Sequence, residues 1–118
     1  MNIEVLRSYC LSKKATTEEF PFDEHTLVYK VMGKIYAITS LNREEIWVNL
    51  KCDPDKAILL RDEYDDIIPG YHMNKRHWNT VYTERGLDDK TIYDLIDHSY
   101  DLIIEGLPKK LRAEWSLL

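Results

Sequence analysis

TLVYKVMGKIYAITSLNREEIWVNL, residues 26–50, is the stretch of sequence that decides the fold. From Thr26 onward two sets of side chains alternate with a period of two, which is typical of β-strands. Gly33-Lys34 interrupts the first run, and glycine at a first central position predicts a type II′ hairpin turn. A second turn at Asn42-Arg43-Glu44 leads into the run 46–50. These signals predict a three-stranded antiparallel meander.

Capping residues and apolar spacing predict four helices around this meander. Asn2 can cap the first helix, whose apolar residues recur on one face. Asp53-Pro54 begins the second helix. Proline has no backbone N–H, but at the first helical position that group would have no partner within the helix, so nothing is lost. Asp88 can cap a long third helix, and Leu107-Pro108 opens a short fourth one. The predicted core face of the third helix comprises Ile92, Leu95, Ile96, Ser99, Leu102 and Ile103.

The connections complete the predicted architecture. We expect a polar, acidic loop up to about Glu24, with Phe20 and Phe22 packed on the core. Pro69-Gly70 fits the central pair of a type II turn, and residues 78–83 regain strand character. The order α-β-β-β-α-β-α-α predicts an α+β fold: an antiparallel sheet, made of the three-stranded meander plus at least one further strand, packed by helices.

Length and composition predict a single domain, residues 1–118. A hydrophobic content of 44% excludes a disordered chain, which could not offset its conformational entropy. No apolar run approaches the roughly 18 residues that span a bilayer, and the N-terminus lacks the pattern of a signal peptide. We therefore predict a cytoplasmic protein with no membrane partner, in which Cys10 and Cys52 are reduced, structural thiols.

The charge is acidic overall and basic only locally. The net charge of −5 argues against nucleic acid as the main partner, because phosphate binding favours a basic excess. Residues 70–82, however, contain Lys75 and Arg76 and no acid. The tail after Leu107 carries Lys109, Lys110 and Arg112 against Glu114 alone. The position of the positive charge therefore matters more than the total.

Residues 69–81, PGYHMNKRHWNTV, are too polar and too aromatic for an ordinary connection. Lys and Arg can neutralise phosphate, Asn can hydrogen-bond a base edge, and Tyr, Trp and His can stack on bases. The alternative is that Trp78 is a core residue and Lys75-Arg76 a solvated pair. His72 and His77 are five residues apart, so their side chains do not point to the same side of a strand or a helix. They could hold a metal only with ligands from elsewhere in the chain, and we predict no metal site. The candidate ligand-binding residues are Tyr71, His72, Asn74, Lys75, Arg76, His77, Trp78 and Asn79, extended by Lys109, Lys110 and Arg112.

The same segment resembles the signature of the MmcQ/YjbR family, small bacterial proteins described as DNA-binding. The resemblance extends to Ser99-Tyr100-Asp101-Leu102 and to residues 107–112, and it spans essentially the whole chain. It implies an α+β fold likened to a double-wing DNA-binding architecture, in which β-elements present the nucleic-acid surface. The function that it implies is DNA binding.

Three functions fit these residues. The leading hypothesis is a non-enzymatic DNA-binding protein, in which Lys75 and Arg76 neutralise phosphates and Asn74 or His77 contacts bases. It requires residues 71–78 and 109–112 to share one face. The second is a pocket for a small anionic ligand, with His72 and His77 as acid or base. The third is a protein-interaction module with the same aromatic and Arg groups as anchors.

The sequence has no nucleophile elbow, phosphate-binding glycine loop or HExxH, so we predict no enzyme, no catalytic residue and no cofactor.

Overall fold

Four helices and six strands make up the computed structural model, which describes residues 1–118. In chain order they are α1 (Ile3–Ser12), β1 (Thr16–Glu19), β2 (Thr26–Val31), β3 (Lys34–Ser40), β4 (Trp47–Lys51), α2 (Pro54–Glu63), β5 (Ile67–Pro69), β6 (Trp78–Tyr82), α3 (Asp89–Glu105) and α4 (Lys109–Ser116). All four predicted helices form, and none is both long and apolar enough to cross a membrane.

Three helices begin at the predicted N-caps. The Asn2 Oδ1 atom accepts a hydrogen bond from the backbone N–H of Val5, at 2.9 Å. The Asp53 and Asp88 carboxylates accept in the same way from backbone N–H groups three residues later, at 3.1 and 2.8 Å. Each cap satisfies a donor that would have no partner in the first turn of its helix.

All six strands join one antiparallel sheet in the order β1-β2-β3-β4-β6-β5. Strands β2 to β4 are the predicted meander, so the α+β class and the antiparallel sheet are confirmed. The predicted strand at 78–83 is β6, which pairs with β4 and places Val81 opposite Val48. Two short edge strands carry no clear signal in the sequence. The first, β1, occupies the segment expected to be a loop, and the second, β5, pairs with β6.

The four helices all lie on one face of this sheet. Helices α1 and α2 are tied to it by side-chain hydrogen bonds from Arg7 to Glu18 and from Arg61 to Asn79. Helix α4 packs on α3, where the indole N–H of Trp115 donates to the hydroxyl of Tyr100 at 2.9 Å. The strand residues buried under the helices are Leu27, Tyr29, Val31, Tyr36, Ala37, Val48, Leu50, Ile67 and Val81.

Helix α3 is the main core helix, and its phase differs slightly from the prediction. Its buried residues are Ile92, Leu95, Ile96, Ser99, Tyr100 and Ile104. Leu102 and Ile103, which were expected on this face, are only half-buried. The rotation follows from Tyr100, whose ring packs edge-on against Tyr36 at 5.2 Å between centroids. The hydroxyl of Tyr100 also donates a hydrogen bond to the backbone carbonyl of Lys14.

The turn between β2 and β3 corrects one expectation. Val31 pairs with Lys34, so the central residues are Met32 and Gly33 rather than Gly33 and Lys34. Their φ angles are +50° and +79°, and two positive values characterise a type I′ turn, not type II′. Type I′ geometry matches the right-handed twist of the flanking strands, which offsets the unusual φ of Met32.

Candidate functional site

The second face of the sheet carries no helix. Trp47 lies opposite Tyr82, and Asn49 lies opposite Thr80, in the register of β4 and β6. Directly opposed residues of an antiparallel pair project on the same side of the sheet. These four side chains therefore point away from the helices. The helix-free face includes Thr26, Val28, Lys30, Ile35, Ile38, Ser40, Trp47, Asn49, Lys51, Ile68, Trp78, Thr80 and Tyr82.

The distinctive segment found in the sequence folds as a loop, residues 70–77, whose first part lies over this face. The side-chain amide N–H of Asn49 donates to the backbone carbonyl of Tyr71 at 3.0 Å. The backbone N–H of Tyr71 donates to the hydroxyl of Thr80 at 2.9 Å, and that hydroxyl donates to Asn49 Oδ1. Asn49 and Thr80 are almost completely buried. This closed set of hydrogen bonds fixes Tyr71 on the sheet.

Gly70 allows the loop to start so close to the sheet. Its backbone N–H donates to the carbonyl of Trp78 at 2.9 Å, which extends the pairing of β5 with β6. A Cβ atom at this position would lie 2.8 Å from the Cβ of Trp78. The predicted turn centred on Pro69-Gly70 is wrong, because Pro69 is still paired with Asn79. The turn lies two residues later, where the Met73 N–H donates to the Gly70 carbonyl and His72 has a φ of +58°.

Two hollows open on the helix-free face on either side of this loop, and they share Arg43, Trp47 and Tyr71. One has a volume of about 360 Å³ and continues to Glu44, Glu45, Thr80 and Tyr82. The other has a volume of about 390 Å³ and continues to Phe22, Thr26, Ile35, Ile38, Ser40, Asn49, His72 and Met73. The second hollow has mainly aromatic and aliphatic walls with a few polar groups, which is the usual make-up of a ligand site, whereas the first combines three aromatic rings with charged and polar side chains.

Phe20 and Phe22 do not pack into the core as expected. Phe20 is 49% exposed and Phe22 is 68% exposed. The reason is that their connection leaves β1 at the sheet edge and crosses toward the helix-free face, where no helix covers it. Phe22 instead forms part of the wall of the 390 Å³ hollow.

The cations near the hollows differ in what they bind. Arg43 is exposed and makes no hydrogen bond or ion pair. Arg85 is occupied, because it forms a two-point ion pair with Glu45, and its guanidinium carbon lies 3.6 Å from the ring centroid of Tyr82. This pairing lowers the pKa of Glu45. Arg43 is therefore the cation in the walls of both hollows that is free to meet a ligand.

The end of the loop, residues 74–77, forms a tight turn at the margin of the sheet. The Asn74 side chain accepts a hydrogen bond from the N–H of Arg76 at 3.0 Å, so it stabilises the turn. The Lys75 ammonium donates to the carbonyl of Gly70 at 3.0 Å but is otherwise exposed. The Arg76 side chain is exposed and unpaired, whereas His77 is half-buried.

Not all of the predicted site residues reach this surface. Asn79 is 2% exposed, on the helix side of the sheet, and its Oδ1 accepts from the Arg61 Nε–H at 2.6 Å. Asn79 therefore has a structural role, contrary to its placement among the ligand-binding residues. Trp78 is on the helix-free face but half-buried, and Gly70 packs against its Cβ.

The basic residues of the tail are separated from the loop. Lys109, Lys110 and Arg112 are exposed on α4, which is part of the helix layer. The hollows beside Tyr71 lie on the opposite face of the sheet. The leading hypothesis required residues 71–78 and 109–112 to share one face. The part of that segment that lines the hollows, residues 71–73, lies on the opposite side of the sheet from 109–112. No group of three or more His, Cys, Asp or Glu is placed to hold a metal ion.

Comparison with known proteins identifies the family. The model of the YjbR family matches residues 11–102. The chain belongs to the YjbR family. "Uncharacterized protein YjbR" of Escherichia coli strain K12 is 35% identical over 112 residues, which cover 95% of each chain. "Uncharacterized protein YbdF" of Escherichia coli O157:H7 is 41% identical over 91 residues, covering 77% of this chain and 75% of that relative.

Solved structures of YjbR-like chains share the fold. Deinococcus radiodurans protein DR2400, described as a DUF419 domain, superposes with a TM-score of 0.91 at 35% identity, over 98% of this chain and 88% of that one. A Pseudomonas syringae protein gives a TM-score of 0.76 at 29% identity, over 86% of this chain and 98% of that one. The resemblance seen in the sequence is confirmed at the level of family and fold.

The YjbR signature segment supplies only part of the candidate site. Arg43, Trp47, Tyr82 and Phe22 come from other parts of the chain and were not among the candidates. The alternation Trp47, Asn49, Lys51 was a usable signal, because it gives β4 a second face too aromatic and polar for the core. Its partner Tyr82 becomes evident only from the register of β4 with β6.

Proposed function

We propose that this protein binds DNA, without catalysing a reaction, through its helix-free face and the 70–77 loop. The observation that supports the proposal is the pair of hollows that share Trp47, Tyr71 and the unpaired cation Arg43. Aromatic rings can stack on bases, and Arg and Lys can neutralise phosphates. The proposal keeps the double-wing-like expectation for the family, in which β-elements and not a helix present the nucleic-acid surface.

The exposed cations form two sets that lie in different parts of the molecule. Arg43 is exposed in the wall of both hollows, and Lys75 and Arg76 are exposed in the 74–77 turn at the margin of the sheet. Lys109 and Lys110 are equally exposed, but they lie on the helix side. With a net charge of −5, only a local concentration of positive charge beside a stacking surface favours DNA. We therefore assign phosphate binding to the first set.

The decisive experiment compares two double variants of equal charge. A fluorescently labelled DNA is titrated with protein at several salt concentrations, and fluorescence anisotropy gives the affinity and its salt dependence. Lys75→Ala/Arg76→Ala should weaken binding to all sequences about equally. It should also flatten the slope of log binding constant against log salt concentration by up to about two units, because each phosphate that the protein neutralises on duplex DNA adds roughly 0.9 to that slope. Lys109→Ala/Lys110→Ala is the matched control, which should leave both quantities near the wild-type values.

Two results would contradict the proposal. Absence of binding by the wild type at low salt would exclude DNA as the ligand. Loss of affinity in the Lys109→Ala/Lys110→Ala protein, with none in the Lys75→Ala/Arg76→Ala protein, would place the DNA surface on α4 instead.

A small anionic ligand with a flat ring is the second candidate. The 390 Å³ hollow favours it, because its apolar walls are accompanied by Arg43, Asn49 and His72. Such a ligand would place its ring against Trp47 and Tyr71 and its charge on Arg43. The chain has three tryptophans, so the signal of Trp47 is the part of the fluorescence that Trp47→Phe removes. Quenching of that part by a mononucleotide, lost in Arg43→Ala and absent with oligonucleotides, would favour this candidate over DNA.

A further inference from the structure

We infer that the nucleic acid bound on the helix-free face is single-stranded and that its bases are held by stacking, with little dependence on sequence. This inference rests on the proposed function and specifies its substrate. Three features of the site lead to it: the shape of the aromatic surface, the state of its polar groups and the small number of free cations.

The aromatic rings of the helix-free face lie in the walls of two hollows and do not project from the surface. Trp47 and Tyr71 are common to both hollows, so a chain of bases crossing the face would meet them in succession. In a duplex the flat faces of the bases are covered by their neighbours, and only the base edges are exposed in the grooves. Flat contacts with Trp and Tyr are available to unpaired bases alone.

Two polar side chains at the centre of the face, Asn49 and Thr80, already have partners. The Asn49 amide donates to the Tyr71 carbonyl, and its Oδ1 accepts from Thr80. The hydroxyl of Thr80 also accepts from the Tyr71 N–H. With 2% and 1% exposure, Asn49 and Thr80 cannot reach a base edge. Since base edges carry the sequence information, binding here should discriminate poorly between sequences.

The free cations are too few for tight duplex binding. Arg43, Lys51, Lys75 and Arg76 allow about four phosphate contacts, whereas duplex-binding proteins commonly make about 6–10. Stacking on Trp47 and Tyr71 must then supply much of the affinity. The expected salt slope for a single strand is about −3, from roughly 0.7 for each of four phosphates.

The test uses one labelled oligonucleotide of mixed sequence, an oligo(dT) of equal length, and the first strand annealed to its complement. At low salt we expect the two single strands to bind with similar affinity and at least about tenfold more tightly than the duplex. Tyr71→Ala should weaken single-strand binding about 5-fold to 100-fold, the range for loss of one stacked base, and Tyr71→Phe should retain it. Tyr71 is 52% exposed, so its replacement leaves the core unchanged.

Tyr93→Ala is the matched control, because Tyr93 is a half-buried tyrosine stacked on Tyr9 on the helix side of the sheet. It should bind the single strand like the wild type. Equal or tighter binding of the duplex, or wild-type affinity of Tyr71→Ala for the single strand, overturns the inference while the proposed function stands. If neither form of DNA binds, the proposed function fails as well. A preference above tenfold for one single strand over the other overturns the expected tolerance of sequence.

Discussion

Gly70 shows how one residue determines the geometry of the candidate site. A Cβ atom there would lie 2.8 Å from the Trp78 Cβ, 2.9 Å from the Trp78 carbonyl oxygen and 3.0 Å from the Met73 Cβ. These neighbours are backbone or the first side-chain atom, so they cannot rotate away. We predict that Gly70→Ala lowers the free energy of unfolding by about 1–3 kcal/mol, as overpacking does in a tight site. Urea denaturation measures this cost, and a decrease below about 0.5 kcal/mol would show that the loop moves aside easily.

Cys10 provides a second test at the residue scale. The thiol is completely buried under Tyr36, and this burial raises its pKa from 9.0 to about 12. Between these values the unfolded chain releases a proton that the folded chain retains, so stability falls as the pH rises from about 9 to about 12. The contribution is at most about 1.4 kcal/mol per pH unit. In Cys10→Ala the decline should be shallower than in the wild type when urea midpoints are compared across this range. An identical decline would mean that the thiol is accessible in the folded protein.

At the scale of elements, caps and apolar periodicity predicted the helices and strands that form from one continuous stretch of sequence. Helix α3 has a capping Asp88 and a regular apolar face, and both are visible without knowing its neighbours. The meander is visible for the same reason, because its strands follow one another directly. The rotation in the second half of α3 was not predictable, since it depends on Tyr100 meeting Tyr36 and Lys14.

Strand β1 illustrates why the rest of the fold could not be predicted. Its sequence Thr16-Thr17-Glu18-Glu19 has no apolar alternation, and it becomes a strand because β2 offers a free edge. Glu18 then accepts hydrogen bonds from Arg7 of α1 and Tyr29 of β2. The site has the same origin, since Trp47 and Tyr82 meet only through the pairing of β4 with β6, which α2 separates in sequence.

The Glu18 hydrogen bonds give a prediction for the edge of the sheet. The hydrogen bond from Arg7 is the main cause of the lowered pKa of Glu18, and Tyr29 adds to it. The carboxylate therefore stabilises the fold above its ordinary pKa, near 4.5, and this stability is lost as the pH falls through the lowered folded value. We predict that Glu18→Gln costs about 1 kcal/mol at pH 7, since Arg7 is partly exposed, and that the cost is smaller near pH 3, where the carboxylate begins to be protonated. Urea denaturation at both pH values checks this, and an equal cost at both would assign the effect to packing.

At the scale of the whole molecule, the sheet separates stability from the proposed binding. The helix side contains the 17-residue hydrophobic core, whereas the helix-free side contains the aromatic hollows and the signature loop. Substitutions such as Tyr71→Ala can therefore change binding without changing the core. The same separation explains why the net charge of −5 is a poor guide to the partner. The effect of each charge depends on which side of the sheet it lies.

Glu44 allows this dependence on position to be measured. It is an exposed acid in the wall of the 360 Å³ hollow beside Trp47, and it makes no ion pair. A phosphate bound near Arg43 would be repelled by it, so Glu44→Gln should tighten binding of single-stranded DNA about two- to fivefold at low salt, with the gain fading as salt rises. Glu114→Gln on α4 is the matched control, since either change takes the net charge from −5 to −4. Fluorescence anisotropy compares the two variants. If total charge governs binding, both will gain equally; if the helix-free face is the binding surface, only Glu44→Gln will.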